Sequence, residues 1–113
     1  MKEIIISGKV VKGRQKGRIL GFPTANIETK KRIEGGVYAG EAEMMGKKYR
    51  AAIFVPKDKN HIEAHILDFS SNIYGKIIKV VIQRKIREVL KFRNDQDLAC
   101  QIMKDINLIS TKE

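Results

Sequence analysis

The chain has 113 residues, 42% of them hydrophobic, a formal net charge of +10 and one cysteine. That length makes one domain, spanning residues 1–113 and large enough to bury a core without disulfides, and the lone Cys100 excludes an internal disulfide and fits a reducing compartment. No apolar run approaches the ~20 residues of a membrane-spanning helix, and Met1-Lys2-Glu3 does not open a secretory signal, so a cytoplasmic protein with no membrane partner is expected.

In chain order, Glu3 to Val11 is rich in isoleucine and valine and reads as a strand. Lys12 to Gly21 is a basic, glycine-containing loop, and Pro23 to Ile27 leads out of it. Glu28 to Gly35 is polar and irregular. Gly36 to Met44 and Lys48 to Val55 read as strands joined by the turn signal Met45-Gly46-Lys47, a hairpin. Pro56 to Asn60 is a short loop, Ile62 to Phe69 another strand, Ser70 to Gly75 a turn, and Lys76 to Ile86 the last and longest strand. Five β segments with short connections predict an antiparallel barrel or compact sandwich and argue against βαβ units. The period then changes. Asn94 is a good N-cap, Asp95 and Asp97 suit a first helical turn, and Leu98, Ile102, Ile106 and Ile109 recur at helical spacing. The expected helix lays its apolar face over one open end of the barrel. Cys100 falls within it, where a packing role is expected over a reactive one.

A net charge of +10 implies an anionic partner, whether nucleotide, nucleic acid or membrane surface. The cations are spread along the chain, with clusters at Lys12 to Arg18, Lys30 to Arg32 and Arg84 to Arg87. A solvated surface accounts for most of them.

Two stretches carry candidate chemistry. In Gly17-Arg18-Ile19-Leu20-Gly21-Phe22-Pro23-Thr24-Ala25-Asn26, glycines and cations suit an anion cradle. Pro23 fixes the turn, and Thr24 and Asn26 bring hard oxygens of the kind Mg²⁺ takes when phosphates supply its remaining ligands. A solvated basic turn is the plainer alternative. In Ile62 to Phe69, alternation puts Ile62, Ala64 and Ile66 on one face and Glu63, His65 and Leu67 on the other. Glu63 and His65 are then either a base with its neighbour or an outward-facing polar pair. His61, His65 and Cys100 match no closed zinc spacing.

Gly8, Val10, Gly13, Gly17, Arg18, Leu20, Gly21, Phe22, Pro23, Thr24, Ala25 and Asn26 fit the pattern G-x-V-x-x-G…G-R-x-L-G-F-P-T-A-N, and here the chain resembles the riboflavin kinases. Glu63, His65, Phe69, Tyr74 and Gly75 fit that family's next motif. Arg87, Lys91, Phe92, Leu98, Gln101, Ile102 and Asp105 fit its closing one. The resemblance implies a six-stranded antiparallel Greek-key barrel with a C-terminal helix, the sixth strand lying near Ile27 or split from a longer segment. It implies transfer of phosphate from Mg²⁺-bound ATP to riboflavin, giving FMN and ADP. It assigns Glu63 as general base, and Thr24 and Asn26 as metal ligands. Gly13, Gly17, Arg18, Gly21, Pro23, Thr24, Asn26, Arg87 and Phe92 become nucleotide and flavin contacts. A monomer with no specific nucleic-acid partner is expected.

The family's N-I-G-x-x-P-T stretch is replaced by the shorter Ala51 to Asn60, without its asparagine and glycine, which leaves the nucleotide donor open. The adenylyltransferase domain of most bacterial relatives has no counterpart, so the chain is either a stand-alone kinase or an excised domain. The alternatives are a basic barrel binding single-stranded RNA and a flavin-binding protein without kinase activity. With seven aromatics and no cluster of them on one strand, the chain offers RNA no evident stacking platform. Thr24, Asn26 and Glu63 together argue for activity.

Overall fold

Apolar residues at every second position set which side of each strand turns inward. The computed structural model describes residues 2–11, 24–57, 60–69 and 72–110. Within them run six strands, β1 (Ile4–Val11), β2 (Ala25–Glu28), β3 (Gly36–Met44), β4 (Lys47–Val55), β5 (His61–Ile66) and β6 (Ile77–Arg87), followed by helix α1 (Asp95–Ser110). The strands close into a barrel in the order β1-β2-β5-β4-β3-β6, every neighbouring pair antiparallel. β3, β4 and β5 meander, and β6 returns to lie beside β3, which is the Greek-key order.

All five expected β segments are present, and the sixth strand is the short β2 near Ile27. β5 stops at Ile66 and does not reach Phe69, because Asp68 adopts a left-handed φ of 59° that takes the chain out of the ladder. The β3–β4 turn is the two-residue loop Met45-Gly46, with φ of 51° and 77°, the conformation that matches the twist of a hairpin.

Ile27, Ile53, Ile62, Ile78, Ile82, Val10 and Val80 fill the barrel. Burying each contributes about 1.5–3 kcal/mol. Closure between β3 and β6 depends on Gly40, where a Cβ would stand 2.0 Å from the Val81 carbonyl oxygen. The register shifts between Ala39 and Gly40, so the bulge and the missing side chain together let the two strands meet.

The helix begins as expected, the Asn94 Oδ1 accepting from the Asp97 N–H at 2.8 Å. Its docking differs from expectation. It lies on the outer wall and not over an open end, with Ile106 and Ile109 packed on Ala39 of β3, Ala52 of β4, Leu67 and Ile86. The alanines let the helix come close. Leu98 and Ile102 are only half-buried, and Cys100 is exposed, which removes its expected packing role.

Candidate active site

Interior positions alternate with wall positions, so the residues flanking the core isoleucines stand on the barrel's outer face. There the strand registers line up one row. Asn26 of β2 pairs with Glu63 of β5, Glu63 with Phe54 of β4, Phe54 with Val37 of β3, and Val37 with Arg87 of β6. Directly paired residues share a face. The row therefore joins the expected metal ligand, the expected base and the expected flavin contact across one wall. Glu63 and Arg87 are three strand spacings apart, roughly 14 Å. Asn26 is buried although it lies on the outer face, and Thr24, just before β2, is half-buried. The two offer neutral hard oxygens beside a carboxylate, a donor set that fits Mg²⁺ held chiefly by phosphates.

Glu63 does have an imidazole partner in His61. The His61 Nε2 lies 3.1 Å from the Glu63 Oε2, and each side chain is 30% exposed. His61 is the first residue of β5, on the same face as Glu63. A strand read from Ile62, after a loop ending at Asn60, leaves His61 out of the alternation, and within that strand only His65 shares a face with Glu63. Beside His61, the segment after β2 and the end of β4 border an open groove of about 970 Å³, its lining including Lys30, Lys31, Arg32 and Lys57. The Lys30–Arg32 cluster thus faces a cleft large enough for a small-molecule ligand.

At the far end of the row, Arg87 is held by the helix. Its Nε donates to both carboxylate oxygens of Asp105 at 3.0 and 3.1 Å, and its second terminal nitrogen to Oδ2 at 2.9 Å. Its remaining terminal nitrogen donates to the Glu88 carbonyl at 3.0 Å. Gln101 donates to the Asp105 Oδ1 at 3.1 Å. Asp105 is buried, so this forked pair fixes the guanidinium plane. The Arg87 guanidinium carbon sits 6.0 Å from the centre of the Phe92 ring, which brings the two expected flavin contacts together. Asp105 entered the sequence reading only as part of a motif. Its partner is visible only in the fold.

Lys85 bridges Glu34 at 3.2 Å and Glu88 at 2.9 Å. The hydrogen bond to Glu88 is the main reason its ammonium is held above the ordinary lysine value. Tyr38 donates to the Glu34 carbonyl at 2.6 Å, and burial pushes its phenol above the ordinary value, with Lys85 acting the other way.

Gly13, Gly17, Arg18, Gly21 and Pro23 lie outside the described residues. Among the described residues no group of three His, Cys, Asp or Glu side chains converges on a metal position, and no helix is long and apolar enough to cross a membrane.

The riboflavin kinase family model, Flavokinase, matches residues 1–112. The chain is 36% identical over 109 residues to the bifunctional riboflavin kinase/FMN adenylyltransferase of Escherichia coli K12, covering 88% of this chain and 35% of that protein. It is 35% identical over 116 residues to an RNA-binding riboflavin kinase of Bacillus subtilis, covering 96% of this chain and 50% of the relative. The chain thus spans about a third to a half of these relatives. Among solved structures it resembles a macrolide-efflux protein from Streptococcus pneumoniae, with a TM-score of 0.84 and 31% identity over 96% of this chain and 39% of the other. It also resembles riboflavin kinase from Trypanosoma brucei, with a TM-score of 0.72 and 25% identity over 98% of this chain and 80% of the other. With a family model matched over nearly its whole length and Asn26, Glu63 and Arg87, one from each motif, in one row of the barrel wall, the chain belongs to the riboflavin kinase family.

Proposed function

We propose that the chain transfers the γ-phosphoryl group of ATP to the 5′-hydroxyl of riboflavin, giving FMN and ADP, and that it does so as a monomer. The observation that carries this reading is the row Asn26–Glu63–Phe54–Val37–Arg87. A tricyclic ring with an extended five-carbon chain matches the distance from Arg87 to Glu63, and the phosphate-side oxygens begin at the next strand.

The chemistry asks for position more than for covalent participation. Glu63 accepts the proton of the ribityl hydroxyl as that oxygen forms its bond to the γ-phosphorus, and the bond from phosphorus to the bridging oxygen of ADP breaks. His61 holds the Glu63 carboxylate toward the hydroxyl through its Nε2. Thr24 and Asn26 would hold Mg²⁺, which neutralises phosphate charge when bound. Arg87, fixed by Asp105, and Phe92 orient the ring. The cations that give the chain its net charge of +10 favour an anionic nucleotide.

No specific nucleic-acid partner belongs to this reading. Tyr49 and Phe69 meet edge to face, with centroids 5.3 Å apart, and pack on the barrel core, so they are not free to stack on bases. The test is incubation of the purified protein with riboflavin, Mg²⁺ and ATP or CTP, followed by chromatography. FMN formation is expected. Its absence with every nucleotide overturns the reading.

A further inference from the structure

We infer that Phe54 is the residue on which the flavin ring is stacked and selected. The inference rests on the riboflavin kinase reading above and names a residue the motifs do not assign. Phe54 stands in the middle of the wall row, paired on one side with Glu63 and on the other with Val37. It is half-buried, and among the described residues it belongs to neither of the two apolar clusters. A phenylalanine is a large apolar ring, and the positions around it in β4 follow a simple division of labour. Ile53 and Val55 turn into the core, and Ala52 lies under the helix. Among the described residues Phe54 serves neither.

Its place in the row gives it a use. The reacting hydroxyl must sit at Glu63, and Arg87 with Phe92 closes the other end of the wall. A flat aromatic ring lying between them crosses Phe54. Offset stacking of two π systems, or an edge-to-face contact, is worth more than the apolar area alone and favours an extended aromatic ring over a bare polyol. Phe54 is therefore a specificity residue for the ring, while Glu63 acts on the chain attached to it. It lies in Ala51 to Asn60, the stretch that departs from the family pattern.

The experiment compares the wild type with Phe54→Leu and Phe54→Trp. Riboflavin and lumiflavin, which has the ring without the ribityl chain, are titrated by fluorescence quenching, and FMN formation is followed alongside. Phe54→Leu is expected to weaken both ligands by a similar factor, about 3- to 10-fold, and to raise KM for riboflavin with little change in kcat. Phe54→Trp is expected to retain binding. Circular dichroism checks that both variants are folded. Unchanged or tighter binding by a folded Phe54→Leu, or a loss confined to riboflavin, overturns the inference and leaves the kinase reading standing. A wild type that forms no FMN overturns that reading, whatever Phe54 does.

Discussion

Asn26 and Glu63 are Cα partners across the β2–β5 ladder, so a buried carboxamide and a half-exposed carboxylate share one face of the barrel wall. This pairing sets the proposed metal ligand beside the proposed base. Thr24→Ala and Asn26→Ala each remove one hard oxygen. A bound metal supplies several kcal/mol of charge stabilisation, so we expect a loss of kcat of about 10²-fold or more. Riboflavin binding should stay within about 2-fold, because ring and metal contacts lie at opposite ends of the row. Steady-state rates measured across a Mg²⁺ titration decide it. Near-normal turnover at limiting Mg²⁺ would remove these two oxygens from the metal site.

The forked bond between Arg87 and Asp105 ties β6 to the helix, and both side chains are largely withdrawn from water. Asp105→Ala leaves a guanidinium without its counter-charge. Breaking a buried pair costs about 3–5 kcal/mol, and the partial exposure of Arg87 puts the expected loss at the lower end. Asp105→Asn keeps the shape and should cost less. Both should weaken riboflavin binding, because the plane of Arg87 is no longer fixed beside Phe92. Urea unfolding together with flavin fluorescence separates the two effects. Full flavin affinity in Asp105→Ala would mean that Arg87 does not orient the ring.

Tyr38 gives a prediction at alkaline pH. Burial raises its phenol above the ordinary value of 10.0. Above that value the unfolded chain releases the proton while the native state keeps it. The native state then binds more protons, and stability falls as pH rises. Lys85, also raised, acts in the same direction. Tyr38→Phe loses the bond to the Glu34 carbonyl, a cost of about 1 kcal/mol near neutral pH, but its stability should decline less steeply above pH 10. Denaturant midpoints measured from neutral to alkaline pH test this. Parallel declines in the two proteins would refute it.

The net charge of +10 predicts weak RNA binding that disappears with salt, because only released counterions drive it. Filter binding at increasing salt measures this. Nanomolar affinity that persists at ~0.2 M salt would favour a dedicated RNA partner.

Some of this was legible in the sequence and some was not, for physical reasons. β3 through β6 show in their alternation, because each has one face in the core. β2 is four residues long, too short a run for periodicity to reveal. The helix announced itself through Asn94 and its apolar spacing. Its docking did not, because Ala39 and Ala52 look unremarkable until the fold places them side by side under Ile106 and Ile109. Glu63 was carried by motif, but its partner His61 depended on where β5 begins. The row from Asn26 to Arg87 depends on the register of strands distant in sequence, and no local pattern encodes that.

Glu63 separates an enzyme from a binding module. Glu63→Gln keeps the size and still accepts a hydrogen bond at its amide oxygen, but it cannot take up a proton at neutral pH. A positioned general base contributes about 10² to 10⁴-fold in rate, and we expect a kcat loss in that range with riboflavin and nucleotide binding little changed. His61 touches the same carboxylate, with Nε2 3.1 Å from Oε2, and acts only through it. His61→Ala should therefore lower kcat by a smaller factor, about 10-fold, and add little to the loss already present in Glu63→Gln, since coupled residues are not additive. FMN formation beside fluorescence quenching, for both single variants and the double variant, checks all of this. An unchanged kcat in Glu63→Gln would make the residue an outward-facing structural glutamate, whose replacement moves stability by less than about 0.5 kcal/mol. A loss of binding equal to the loss of rate would make it a ligand contact and not the base.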